Sequence, residues 1–203
     1  MPTGRCPNTS RALHGCSTRD DARVDPLTGM LLIANSPLFD PNFRRTVVLI
    51  GHHDEEGAVG VVLNRTLEVT VREAVPPLGG LVTEDEPLHV GGPVQPDSVV
   101  VVADFVDPSR AEILAMGSIG FLPPEADEDI VTAIRRARVF AGYSGWGAGQ
   151  LEAELAEDSW LVEPAIPDDV FHPEPGRLWA DVLRRKGRDF DMLRLMPDDP
   201  AMN

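Results

Sequence analysis

A chain of 203 residues, 42% hydrophobic and 25% charged, has the length and apolar content of one folded domain with its own core, which excludes wholesale disorder. Eighteen basic against 33 acidic residues leave a net charge of −15, which argues against a protein that tracks a phosphate backbone. No stretch approaches the ~18 apolar residues of a membrane-crossing helix, so membrane partners are not expected either.

Residues 1–25 mix Pro, Gly, Ser, Thr and Arg without periodicity and read as a disordered extension ahead of a single domain over 26–203. Through Arg23 the segment holds four arginines and two aspartates, so the acidity belongs to the domain itself. Its Cys6 and Cys16 stand apart from any Cys/His set with metal spacing, and no apolar stretch of a secretory signal is visible. The expectation is a cytoplasmic chain without structural metal, disulfide framework or cofactor.

Gly29 opens the apolar run Met30-Leu31-Leu32-Ile33-Ala34, which Asn35-Ser36-Pro37 closes, as in a strand buried on both faces. Asp40-Pro41-Asn42 is a turn. Thr46 to Ile50 and Ala58 to Leu63 flank the polar stretch His53 to Gly57 and read as a hairpin, with Gly60 marking a bulge or a close backbone approach. Thr70 to Val75 make a short helix ended by Pro76-Pro77, Leu88-His89-Val90 leads into Gly91-Gly92-Pro93, and Ser98 to Ala103 is a β-branched strand. Met116 to Leu122 is a further strand candidate.

The period then changes. Ala126, Ile130, Ala133, Ile134 and Ala137 fall at helical spacing, with Glu125, Asp127, Glu128 and Asp129 in the first turn and Arg135, Arg136 and Arg138 in the last, which predicts a helix. Val139-Phe140-Ala141 is a short strand, Leu151 and Leu155 mark a second helix, and Trp160-Leu161-Val162 is a strand. Leu178, Trp179, Val182 and Leu183 form the apolar face of a last helix that Gly187 can cap. Strands dominate early and helices mix in later without regular alternation, a pattern of the α+β class.

The sharpest local feature is Gly142-Tyr143-Ser144-Gly145-Trp146-Gly147-Ala148-Gly149-Gln150-Leu151-Glu152, which places alternating glycines at a strand-to-helix corner. Backbone N–H groups there can cradle an anion, with Trp146 and Gln150 supplying stacking and orientation. The competing reading is a tight turn packed under an indole, favoured by Glu152 and Glu154 in the first turn and by the lack of a nearby Lys or Arg. No Lys-Ser/Thr follows as in a P-loop, Gln150 stands in place of the last Gly of the dinucleotide fingerprint, and Trp146 in place of the Gly that a nucleophile elbow around Ser144 needs.

His52 and His53, ahead of Asp54, Glu55 and Glu56, face opposite sides of a strand and read as a solvated hairpin tip, not a metal site. His89 is either a lone acid/base or a simple hydrogen-bonding residue. Arg44 and Arg45 either receive an acidic ligand or cover the sheet end. Lys186, the one lysine, sits among Arg184, Arg185 and Arg188 and reads as a solvated helix end.

Gly29 to Ala34 with Asp40 to Val47, then Gly57 to Arg65, Gly91-Gly92-Pro93-Val94, and Gly142 to Trp146 through Gln150-Leu151-Glu152 together resemble the AlgH (YqgE-type) family of bacterial proteins, from about Leu27 to near the C-terminus. The resemblance implies an α+β fold with a bifurcated mixed β-sheet closing into a small barrel surrounded by helices. It implies no established activity and no catalytic residue. Thr66 stands where Pro commonly follows Asn-Arg, and Val102-Ala103 where Leu-His often ends the strand, which removes a histidine.

The first reading is therefore a cytoplasmic, non-enzymatic regulatory or binding protein with a protein or small-molecule partner. Its candidate binding residues are Asn64, Arg65, Gly91, Gly92, Pro93, Ser144, Trp146, Gly147, Gly149, Gln150 and Glu152. The alternative is a hydrolase using Ser144 or carboxylates with a histidine, which requires Ser144, His89 or His52 and an acidic side chain within hydrogen-bond reach of one another. A direct DNA-binding regulator ranks last.

Overall fold

The computed structural model describes residues 27–35, 40–123, 128–190 and 192–193. The segment 1–25, with Cys6 and Cys16, lies outside the described residues. The first apolar runs pair as a meander: β1 (Met30–Ala34), β2 (Val47–Asp54) and β3 (Gly57–Val62) are antiparallel neighbours, and β10 (Trp160–Pro164) adds to the other edge of β1. The hairpin is longer than its apolar runs suggest, because His52, His53 and Asp54 continue the ladder to Gly57. Its register shifts between Ile50 and His52, and a side chain on Gly60 would collide with the Leu49 carbonyl, so bulge and close approach occur together.

Next come β4 (Thr66–Thr70), α1 (Val71–Ala74), β5 (Pro87–Val90) and the long β6 (Val94–Phe105). Thr70 caps α1 with Glu73 in a reciprocal capping box, which is why so short a helix forms where expected. The segment 113–121 makes two strands, β7 (Ile113–Met116) and β8 (Ile119–Phe121). After β9 (Ile134–Gly147) follow α2 (Gln150–Ala156), α3 (Pro167–Val170) and α4 (Leu178–Lys186), the last ended by Gly187 at φ +134°.

The strand order is β10-β1-β2-β3-β9-β6-β8-β7, with β4 and β5 off this path. All pairings are antiparallel except β5 beside β9, so a large, mainly antiparallel sheet with several helices makes this an α+β fold. One edge of β9 is held by β6; the other is shared by β3, at residues 144–147, and β5, at 140–141. Gly91 sits where β3 and β9 part: Val62 N–H donates to its carbonyl and its own N–H donates to Ala141 O, each at 2.8 Å.

Two expectations are corrected. The helix over 126–137 does not form: Glu128–Ala133 is a 3-10 turn, Ile134 onward is strand, and 124–127 lie outside the described residues. The arginines expected to cap a helix are strand partners instead. Arg136 lies opposite Asp104 in the β6–β9 register, and Arg135 and Arg136 both pair with that carboxylate. Cross-strand pairing along β6 outweighs a weak intrinsic preference.

Nor is a small barrel closed, since the strand path ends at β10 and β7 without a ladder between them. The β7–β8 end does curl over β1–β2: the Phe121 ring fills the space a side chain on Gly51 would take, and the Ala115 carbonyl does the same at Gly29, which stands at φ +79°. The two ends meet by interlocking at glycines instead of by hydrogen bonds. Inside the curl lies the main core, with Leu31, Leu49, Val61, Ile119, Phe121 and Phe140, closed on one side by Val170 of α3 and Leu178, Val182 and Leu183 of α4. The opposite face of β1–β3 packs Trp146, Leu151 and Trp160, and a third cluster lies around Val71, Phe105, Ala137 and Val139.

Candidate functional site

The signature blocks meet, and they bind chiefly one another. Asn64, just after β3, accepts the Val47 N–H at Oδ1 (2.9 Å) and donates from Nδ2 to Arg45 O (2.8 Å). Arg65 donates from Nη2 to Pro41 O (2.9 Å) and Arg44 O (3.1 Å). The pair thus staples the 40–45 turn, in which Arg45 holds φ +54° and lays its guanidinium 4.9 Å from the Trp179 ring. That places Arg45 as cover for the sheet end. Burial pushes the Arg65 pKa down, with the Asp40 charge acting against it.

Phe43, from the same turn, packs against Trp146 (centroids 6.1 Å) and edge-on to Trp160 (5.5 Å). Glu154 of α2 unites the aromatic group: its Oε2 accepts both indole N–H groups, from Trp146 at 2.9 Å and Trp160 at 2.8 Å, and its Oε1 accepts Gln150 Nε2 at 3.0 Å. Gln150 in turn accepts the Gly147 N–H (3.1 Å). The Gly147 N–H at this corner thus already has an acceptor, and the turn packs beside the Trp146 indole. Gly149, at φ +72°, supplies the left-handed residue that starts α2.

Glu152 faces His53. Leu27 N–H donates to His53 Nδ1 (3.1 Å), so Nε2 carries the proton and donates to Glu152 Oε1 at 2.8 Å. Its own backbone N–H holds the Glu152 carboxyl below the usual carboxylate range, with His53 adding to this against partial burial. His53 is therefore buried, contrary to the solvated tip expected, while His52 is exposed and pairs with Asp54 at 2.9 Å. Lys186 is likewise no free helix end: its Nζ donates to Val162 O (2.9 Å) and Glu163 Oε2 (3.1 Å).

Ser144 is fully buried and donates to Gly91 O at 3.1 Å. Gly91 and Gly92 are required by the same crossing, since a side chain on either would strike the carbonyl of Gly142 or Tyr143. Arg65, Gly92 and Pro93, with Asn42, Val62 and Val90, line a cavity of about 60 Å³, room for little more than water. No histidine reaches Ser144 among the described residues. His89, wholly buried on β5, has Glu86 Oε1 at 3.6 Å, beyond hydrogen-bond reach, and neither ring nitrogen has a hydrogen-bond partner among the described residues. Arg138 completes this cluster, its Nε 3.3 Å from Glu86 Oε1, its Nη1 donating to Val170 O at 2.9 Å and its Nη2 to His172 O. Burial, then the Arg138 charge, push the His89 pKa down against Glu86, while Glu86 ends below its ordinary value because His89 and Arg138 outweigh its own burial.

A second cavity, of about 630 Å³, was not expected from the sequence. It opens at one end of the curled sheet, where Val59, Val99, Ile113, Phe121 and the single tyrosine, Tyr143, come from five different strands, with Glu112 at its rim. Val59 and Val99 are 38% and 42% exposed there. No group of His, Cys, Asp and Glu among the described residues could hold a metal ion, and no described helix is long and apolar enough to cross a membrane.

The chain is 45% identical to a UPF0301 protein of Streptomyces coelicolor over 187 residues, 89% of this chain and 97% of that protein. It is 41% identical to a UPF0301 protein of Chlorobaculum tepidum over 181 residues, 86% and 95% of the two. A crystal structure of a Corynebacterium diphtheriae protein matches with a TM-score of 0.77 at 32% identity, over 86% of this chain and 94% of that one. The solution structure of the AlgH protein of Pseudomonas aeruginosa matches with a TM-score of 0.66 at 29% identity, over 87% and 97%. The AlgH-like family matches residues 31–191, which include the interlocking turn, crossing and corner, and the chain belongs to that family.

Proposed function

We propose that this chain is a non-enzymatic binding protein of the cytoplasm. The observation that carries the reading is Ser144: sealed in the sheet, it spends its proton on a backbone carbonyl, whereas a nucleophile needs a base within about 3 Å and an open approach. The imidazole–carboxylate contacts His52–Asp54, His53–Glu152, His89–Glu86 and His172–Asp181 belong to separate places, and none involves a hydroxyl nucleophile among the described residues. In this reading Asn64, Arg65, Gly91, Gly92, Pro93, Gly147 and Gly149 shape the frame, and Trp146, Gln150 and Glu152 fix α2 on it. Against direct DNA binding stand the charge of −15 and the engagement of Arg65, Arg135, Arg138 and Arg185 with the protein's own oxygens.

The test pairs a hydrolysis survey of esters, phosphoesters and peptides with a thermal-shift screen of metabolites, on the wild type and Ser144→Ala. We expect no turnover that distinguishes the two, and a ligand-dependent rise in Tm in both. Turnover by the wild type that Ser144→Ala abolishes would overturn the reading.

A further inference from the structure

We propose that the mouth of the curled sheet is a ligand site for a small cationic amphiphile, a molecule with an apolar body and one protonated amine; this deepens the binding reading above and rests on it. The cavity of about 630 Å³ falls within the ~300–1,000 Å³ of small-molecule sites, and open ends of curled sheets are among the places where such sites form. Its walls are apolar: Val59, Val99, Ile113 and Phe121 give it no polar side-chain atom. Val59 and Val99 in its lining are partly open to water.

The charge of the occupant follows from the rim. No arginine or lysine lines the cavity among the described residues, and the only ionisable side chains there are Glu112 and Tyr143. Neither has a side-chain hydrogen bond or ion pair among the described residues, unlike Asp104, engaged by Ser118 and Arg135, Glu86, by Arg138, and Glu154, by two indoles. A carboxylate or phosphate ligand would bring a second negative charge to Glu112 within a molecule already at −15. An ammonium group instead meets the Glu112 carboxylate and the face or hydroxyl of Tyr143.

The experiment uses three eight-carbon probes that differ only in the head: octylamine, 1-octanol and octanoate, titrated into the full chain at pH 7 and followed by protein amide shifts and ligand saturation transfer in NMR. Octylamine is expected to bind about five- to tenfold more tightly than octanol, the scale of one partly exposed charge pair and cation–π contact, and octanoate more weakly than both. Glu112→Gln should bring octylamine down to the level of octanol. Val59→Arg, at an exposed strand position, should abolish binding of all three while leaving the remaining amide spectrum in place. Octanoate binding as tightly as octylamine, or octylamine binding unchanged by Val59→Arg, would overturn the site. These outcomes are independent of the Ser144→Ala comparison, so failure of the cavity and failure of the binding reading are told apart.

Discussion

Protonating His89 would set a second cation beside Arg138, with the Glu86 carboxylate 3.6 Å away as partial compensation. Burial, foremost, and that neighbouring charge hold its pKa below the ordinary value, with Glu86 opposing. The unfolded chain, whose histidines titrate near ~6.5, then binds more protons than the folded one as pH drops through that value, so stability falls toward acid from there. Glu86, Asp104 and Glu152 lie below their ordinary values and contribute stability that is lost only below about pH 4, a separate and lower window. Accordingly His89→Leu should be at least as stable as the wild type at pH 7 and flatten the stability curve just below about pH 6.5. Urea titrations across that range check it, and an unchanged acid limb would assign the limb to another group. Arg138 behaves oppositely. Arg138→Met strands the half-buried Glu86 and frees two carbonyls, and is expected to cost about 3–5 kcal/mol, with part recovered by adding Glu86→Gln.

Among the elements, α2 has seven residues, too short to hold its shape by propensity alone. Glu154 is what anchors it, because one carboxylate takes donors from β9, β10 and α2 itself. Glu154→Ala leaves two buried indole N–H groups without an acceptor and should destabilise by about 2–4 kcal/mol, with a red shift in tryptophan emission as water reaches Trp146 and Trp160; Glu154→Gln, which keeps an acceptor, should lose less. Local signals made this element legible: Leu151 and Leu155 at helical spacing after a glycine corner. They misled over β9. Ala126 to Arg138 has helical spacing and a dipole-matching charge order, yet the acceptors of those arginines, Asp104, Phe105 O, Glu86 and Val170 O, all lie at least thirty residues away in sequence. No local pattern shows such partners.

For the whole molecule the same distinction governs the sites. Asn64-Arg65, Asp40 to Arg45 and Gly91-Gly92 could be picked out as blocks because each needs particular residues over a few positions. The large cavity could not, because each strand contributes only one or a few ordinary apolar positions and only the curl assembles them. That curl depends on Gly51 leaving room for Phe121. Gly51→Ala is expected to cost about 1–3 kcal/mol by overpacking, and Phe121→Leu in the same chain to recover part of it although the residues are seventy positions apart; chemical denaturation of the two single variants and the double gives the coupling. Additive losses would mean that the two ends of the sheet do not brace each other.

A branched sheet whose ends do not join keeps outer edges at β10, β7 and β4, and an open edge is an invitation to a neighbouring molecule's strand. At β10 the invitation is withdrawn by α4: Lys186 occupies the Val162 carbonyl, and Arg185, held bidentate by Asp169 at 2.7 and 2.8 Å, reaches Pro164 O. At β7 the strand is only four residues long. The one lysine of the chain thus covers an edge acceptor that a second strand could otherwise take. A change that shortens or neutralises Lys186 uncovers the Val162 carbonyl on that edge and is expected to raise self-association, which light scattering checks.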